Sequence, residues 1–102
     1  MIARTWHGTV PTSKAEAYHE FLLRTGVPDY RRTPGNLGVF VLRRVEGELA
    51  HFLLLTLWES SAAIRAFAGA NIDKAVYYSE DPEYLLELEP WVKHYEVLEK
   101  LP

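Results

Sequence analysis

Arg4 and Trp6, in the opening segment IARTWHG, have types and spacing that suit chemistry. They are two positions apart, so in a β-strand both side chains point to the same face. A buried guanidinium offers fixed donors to an anionic or enolate oxygen, and an indole offers a rigid surface for stacking on a flat molecule. Alternatively, Arg4 pairs with a carboxylate at a subunit contact and Trp6 fills the core. The spacing alone leaves both interpretations open.

His94, in the closing segment PWVKHYEVL, is the candidate general base. A histidine beside a pocket can remove a phenolic proton at neutral pH and so leave a carbanion that reacts with O2. A hydrogen-bonded structural histidine is the alternative. Strand alternation does not decide whether His94 or Tyr95 faces inward.

Other chemistry has less support in the sequence. His7, His19 and His51 fall on three different predicted elements without the spacing of metal ligands, so we predict no metal site and no cofactor. The acidic run from Glu80 to Glu83 is interpreted as a solubilising loop. No serine-histidine-acid order, glycine-rich phosphate-binding loop or paired-carboxylate motif is visible.

Length and composition restrict the class of protein. A chain of 102 residues has room for one domain with one core, residues 1–102. The net charge of −3 argues against a nucleic-acid or anionic-membrane partner. The absence of cysteine excludes disulfides and thiol nucleophiles, and with no apolar leader or membrane-spanning run it favours a cytoplasmic location.

The pattern of turns and apolar residues predicts the order strand, helix, strand, strand, helix, strand. In this order we expect strands at 2–8, 37–45, 50–60 and 90–98, a helix between 12 and 28, and a helix from Ser60 or Ser61 to Gly69. Ser13 and Glu16 have capping-box spacing, and Gly26 with Pro28 is expected to end the first helix. A short helical turn is expected at 73–78, and a loop with one helical turn at 79–90. This is the order of an α+β, ferredoxin-like βαββαβ antiparallel sheet.

The third strand, AHFLLLTLW, is apolar on both faces. Two helices cover only one face of a four-stranded sheet, and we assign Trp6, Phe52, Leu54 and Trp58 to the uncovered face. An apolar face of this kind predicts a homodimer in which two sheets pack together and enclose a cavity. The sequence therefore predicts a dimeric α/β barrel with a ligand site between its sheets.

The full chain resembles the antibiotic biosynthesis monooxygenase family of dimeric α/β-barrel proteins. The resemblance rests on the element order, on LWES at 57–60, FAG at 67–69 and KHYEV at 93–97. It implies a ferredoxin-like subunit and, for some members, oxidation of polycyclic aromatic substrates by O2 without metal or prosthetic group.

A branch of the same family degrades haem. It uses an asparagine on the first strand, a tryptophan on the second helix and an iron-ligating histidine, and the matching positions here hold Trp6, Phe67 and Tyr77. All three differ, so we predict no tight haem site.

The resemblance and the residues together lead to one preferred hypothesis. It is a cofactor-independent monooxygenase acting on a small aromatic or polyketide-like molecule, with Arg4 orienting an oxyanion and His94 as base. Five aromatic residues would shape the site: Trp6, Phe52, Trp58, Phe67 and Tyr77. One alternative is a non-catalytic dimeric domain that binds a small ligand or is associated with stress. Haem binding or degradation is a further alternative with less support.

Overall fold

The computed structural model describes residues 1–102, and its strands form one antiparallel sheet. The order of the strands across the sheet is β2-β3-β1-β4, which is the ferredoxin-like arrangement predicted from the sequence. Along the chain the elements are β1 (Ile2–Pro11), α1 (Ala15–Arg24), α2 (Gly26–Arg32), β2 (Asn36–Glu46), β3 (Leu49–Trp58), α3 (Ser61–Ala68) and β4 (Lys93–Glu96). Two single 3-10 turns lie at Thr12–Lys14 and Asp81–Glu83.

The predicted first helix is two helices. Thr25, with φ −120° and ψ −86°, interrupts the helical path, and the chain then forms α2 through Pro28 instead of stopping there. Proline is tolerated at this point because the first N–H groups of a helix have no partner within it. The predicted capping box is also wrong: Ser13 lies in a 3-10 turn, and no side chain caps α1.

The remaining boundaries follow local capping and turn chemistry. The hydroxyl of Ser60 accepts a hydrogen bond from the N–H of Ala63 at 3.2 Å, and Gly69, with φ 89°, ends α3 as predicted. The predicted loop at 79–90 contains one 3-10 turn. The helical turn expected at 73–78 is absent, because this segment runs extended beside residues 90–92 through a bridge between Lys74 and Trp91.

The structure corrects the assignment of the sheet faces. Trp6, Phe52, Leu54 and Trp58 are at most 5% exposed and belong to the core beneath the helices. The uncovered face instead carries Leu53 and Leu55 of β3, with Phe40 and Leu42 of β2 opposite them. Both faces of β3 are apolar, so alternation alone cannot tell which one the helices cover. A ligand cavity lined by Phe52 and Trp58 between two sheets is therefore ruled out.

The uncovered face exposes several large apolar side chains. Phe40 is 50% exposed, Leu42 44% and Tyr95 53%. None of the helices is long and apolar enough to cross a membrane.

Candidate active site between the sheet and the helices

A small, partly enclosed space (the enclosed space) lies between the covered face of the sheet and the helices. Its volume is about 20 Å³, which is room for about one water molecule. Each surrounding element contributes to its wall: Trp6 and Leu54 from the sheet, Tyr18 and Leu22 from α1, Gly26 and Tyr30 from α2, Phe67 from α3, and Val76, Tyr77, Tyr78 and Asp81 from the loop before β4. The space is thus predominantly apolar and rich in phenol rings.

An open groove adjoins this space on the outside of the molecule. The groove has a volume of about 410 Å³ and shares Phe67, Val76 and Tyr78 with the enclosed space. The hydroxyl of Tyr78 donates a hydrogen bond to the carboxylate of Asp29 in α2, which ties the loop to the helix. These three shared residues form the wall between groove and interior.

Hydrogen bonds fix the two aromatic groups that lie deepest against the sheet. The indole Nε1 of Trp6 donates to the hydroxyl oxygen of Tyr77 at 3.2 Å, and that hydroxyl donates to the carbonyl oxygen of Glu89 at 2.5 Å. The two rings meet edge to face with centroids 6.2 Å apart. One face of the interior therefore has a fixed shape.

Asp81 is the buried carboxylate of this site. It is 3% exposed and lines the enclosed space, and its Oδ2 accepts a hydrogen bond from the N–H of Tyr78 at 2.6 Å. Burial raises the pKa of the Asp81 carboxyl, although the hydrogen bond from Tyr78 opposes the rise. A carboxylate with a raised pKa is a stronger base, which favours proton removal from a substrate.

Asp81 was not among the site residues predicted from the sequence, because the whole acidic run was interpreted as a solubilising loop. The 3-10 turn Asp81–Glu83 directs the first carboxylate inward, while Glu80 and Glu83 remain exposed. The available signal was Pro82 directly after Asp81, since proline favours the start of a helical turn. That signal predicts a turn, but it does not predict burial.

The tyrosines around the space are neutral hydrogen-bond donors. Burial is the main cause that raises the pKa of the hydroxyls of Tyr18, Tyr30, Tyr77 and Tyr78. A phenol with a raised pKa stays protonated at neutral pH and can donate to an oxyanion.

Arg4 and His94 lie side by side, as the sequence hypothesis requires, but behind the enclosed space. They are paired in register between β1 and β4, and neither lines the space. The side chain of His94 is 16% exposed, whereas Tyr95 is 53% exposed on the other face, so His94 is the inward residue.

Arg4 reaches the site only through aromatic neighbours. Its guanidinium carbon lies 5.6 Å from the centre of the Phe67 ring, and its Nη2 donates to the carbonyl oxygen of Lys74 at 3.0 Å. The Nε of Arg4 has no partner although the residue is 1% exposed. Its charge lowers the pKa of the Tyr30 hydroxyl and so opposes the effect of burial on that group.

The other predicted site residues divide into two groups. Trp6, Phe67 and Tyr77 line the enclosed space, whereas Phe52 and Trp58 do not. Trp58 is fully buried, and its Nε1 donates to the hydroxyl oxygen of Thr56 at 2.8 Å. Phe52 and Trp58 therefore support the site from the core.

His94 should make stability depend on pH. Burial, followed by the charge of Arg4, lowers the pKa of His94 from 6.5, although Asp73 opposes this shift. The unfolded chain then binds the proton more readily, so stability should rise with pH from the folded-state pKa up to about 6.5 and level off above it. Urea unfolding at pH 5.5 and 7.5 should show a smaller difference for His94→Gln than for the wild type. An equal or larger difference in the variant would contradict the assignment.

Sequence comparisons identify no relative. No protein-family model matches the chain, and no curated protein matches it.

Solved structures do match over the full length. A putative antibiotic biosynthesis monooxygenase from Nitrosomonas europaea is 20% identical, with a TM-score of 0.70 over 97% of this chain and 100% of that one. One from Bacillus cereus is 17% identical, with a TM-score of 0.66 over 99% and 96%. The haem degrader MhuD from Mycobacterium tuberculosis, solved with two haems in its active site, is 21% identical, with a TM-score of 0.65 over 100% of both chains. The chain therefore has the fold of the proteins called antibiotic biosynthesis monooxygenases, the family that its sequence resembles.

Proposed function

We propose that the protein is a cofactor-independent monooxygenase that oxidises a small, planar phenolic or polyketide-like molecule. The observation that carries this proposal is Asp81, a buried carboxylate that faces an enclosed space of aromatic rings and neutral phenols. The names of the structures from Nitrosomonas europaea and Bacillus cereus give independent support for this class of reaction.

The proposed reaction converts an activated CH2 group of the substrate into a carbonyl. Asp81 removes a proton, and the resulting carbanion gives one electron to O2. The two radicals then combine to a peroxide anion, which takes the proton back from Asp81, and the resulting hydroperoxide loses water. One oxygen atom of O2 ends in the carbonyl and the other in water, so no external reductant is needed.

The chain's own groups have separate parts in this reaction. Asp81 holds the proton, and the phenols of Tyr18 and Tyr30 are placed to donate to the developing oxyanion. In this proposal Asp81 takes the place of His94 as the base. Arg4 is a positioning residue that acts through Tyr30, and His94 lies beside Arg4 on β4.

Substrate entry requires the wall between groove and interior to open. The enclosed 20 Å³ cannot hold a planar ring system, but the adjoining groove of 410 Å³ lies within the usual size of ligand sites. Movement of Phe67 and Tyr78 would join the two volumes. The hydrogen bond from Tyr78 to Asp29 must break for this to occur.

Oxygen uptake with a hydroxyanthrone tests the proposal directly. This probe is a planar phenol with an activated CH2 group, and its spontaneous oxidation is measured in the same buffer without protein. We expect saturable uptake of one O2 per probe molecule, with a ketone as the product. Uptake that does not exceed the spontaneous rate would refute the monooxygenase assignment for this class of substrate.

A second candidate function is non-catalytic binding of a small ligand. The open groove of about 410 Å³ favours it, because a ligand can bind there without movement of the wall, whereas catalysis at Asp81 requires the wall to open. Quenching of tryptophan fluorescence by the hydroxyanthrone would separate the two functions: saturable quenching without oxygen uptake favours a binding protein.

We also propose that two copies pair through the uncovered face of the sheet. This face presents Phe40, Leu42 and Tyr95 to solvent, and covering them would remove apolar area from water. Sedimentation at micromolar concentration should then give about twice the chain mass of 11.7 kDa. A cytoplasmic location remains a prediction from composition.

Haem should not bind tightly in this site. Three residues of the enclosed space hold the positions that matter in the haem-degrading branch: Trp6, Phe67 and Tyr77. No histidine lines this space. A porphyrin would have to displace the fixed pair of Trp6 and Tyr77. Titration with haemin should therefore give no saturable one-to-one shift of the Soret band. A sharp one-to-one shift would contradict this prediction, and its loss in Tyr77→Phe would identify the iron ligand.

A further inference from the structure

His7 and His51 form a pair on the uncovered face of the sheet, away from the site described above. His7 lies on β1 and His51 on β3, in diagonal positions of neighbouring strands. The Nε2 of His7 lies 3.1 Å from the Nδ1 of His51, and the ring centroids are 5.3 Å apart. Two imidazole nitrogens thus face each other at short range.

Each ring has a carboxylate near its other nitrogen. The Nδ1 of His7 lies 2.7 Å from Oε2 of Glu89, and the Nε2 of His51 lies 3.8 Å from Oε2 of Glu46. In proteins, a metal-bound histidine usually donates its second N–H to such a carboxylate, which fixes the ring and makes the bound nitrogen more basic. The row Glu89, His7, His51, Glu46 therefore has the arrangement of two metal-binding histidines, each oriented by a carboxylate.

A hydrogen bond between the two rings leaves one ring nitrogen, Nε2 of His51, without a hydrogen-bond partner. If His51 donates from Nδ1 to His7, its Nε2 carries no proton, and this buried atom has no hydrogen-bond partner. A cation between the rings would move the His51 proton to Nε2, where it faces Glu46. The binding of an ion would thus place an N–H group instead of a bare nitrogen opposite the Glu46 carboxylate, 3.8 Å away.

From this arrangement we propose that His7 and His51 chelate one divalent late transition-metal ion, with Cu²⁺ as the best fit. Two nitrogens 3.1 Å apart, each about 2 Å from the metal, subtend an angle of about 100° at the ion. Cu²⁺ is the preferred ion because it stands highest in the affinity order of the divalent first-row metals for nitrogen ligands. No third His, Cys, Asp or Glu completes the ligand set, so in the single chain water fills the remaining positions. Pairing of two copies through this face must therefore leave room for the ion and its water. Arg44 lies nearby, and its salt bridge with Glu46 compensates its charge.

Titration with Cu²⁺ in a buffer that does not bind copper tests the site, with calorimetry for affinity and electron paramagnetic resonance for the ligands. The wild type should bind one Cu²⁺ per chain and show coupling to two nitrogens. The double variant His7→Gln/His51→Gln should bind at least about tenfold more weakly, and Glu89→Gln about tenfold more weakly because it removes the supporting carboxylate. His19→Gln and Glu87→Gln are the matched controls and should bind like the wild type.

Circular dichroism verifies that each variant is folded. We expect the variants to fold because the side chains of His7 and His51 are partly exposed. Equal affinity of the wild type and the double variant would overturn the proposal. A stoichiometry of one ion per two chains would overturn it as well, because the ion would then be shared between copies. None of these outcomes depends on oxygenase activity.

Discussion

Replacing Asp81 with Asn should lower the rate of oxygen uptake with a hydroxyanthrone by at least about 100-fold, the usual contribution of a general base. Asparagine keeps the size of the side chain and an oxygen that can accept from the N–H of Tyr78, so the 3-10 turn should persist. It cannot take up the substrate proton. The activity should also fall as the pH decreases through the raised pKa of Asp81, because only the ionised carboxylate acts as a base.

The neighbouring acidic residues provide the control for this experiment. Glu83→Gln removes an exposed carboxylate from the same turn and should leave the rate within about twofold of the wild type. A rate for Asp81→Asn that is also within about twofold would reject Asp81 as the base. The same assay of His94→Gln would then test the prediction from the sequence that His94 is the base, since His94 is the inward-facing histidine of β4.

Replacing Phe52 with Asp should destabilise the protein by more than about 4 kcal/mol. The substitution removes a large buried ring and places a carboxylate, without a partner, among apolar side chains. Phe52 is 1% exposed, and its ring packs edge to face against Tyr18 of α1 at 5.1 Å. Because a domain of this size has a stability of about 5–15 kcal/mol, this loss is a large fraction of the total, and we expect the midpoint of urea unfolding to fall markedly or the native baseline to disappear.

Leu42→Asp is the matched control on the opposite face of the sheet. Leu42 is 44% exposed in the single chain, so its replacement should leave the fold intact. If two copies pair through this face, sedimentation should show the variant as a monomer. A folded Phe52→Asp variant together with an unfolded Leu42→Asp variant would mean that the two faces are assigned the wrong way round.

The sequence by itself determined the architecture. Turn residues and short apolar runs are local signals, and they placed all four strands, the helix beginning at Ser61 and its end at Gly69. Since strand order in a βαββαβ chain is restricted by connection rules, the element order was sufficient for the ferredoxin-like sheet. The placement of Arg4 and Trp6 on the same face of β1 was also predicted correctly, because the alternation of side chains along a strand is a local property.

Only the tertiary structure decided which face the helices cover and which polar groups meet. Both faces of β3 are apolar, so the choice depends on how α1 and α3 pack, which is a property of the whole chain. The burial of Asp81 has the same origin: its turn is predictable, but the wall it faces comes from distant elements. Likewise His7 and His51 are 44 residues apart in sequence and became neighbours only through the register of β1 with β3. Contacts of this kind depend on non-local packing, which no short segment of sequence encodes.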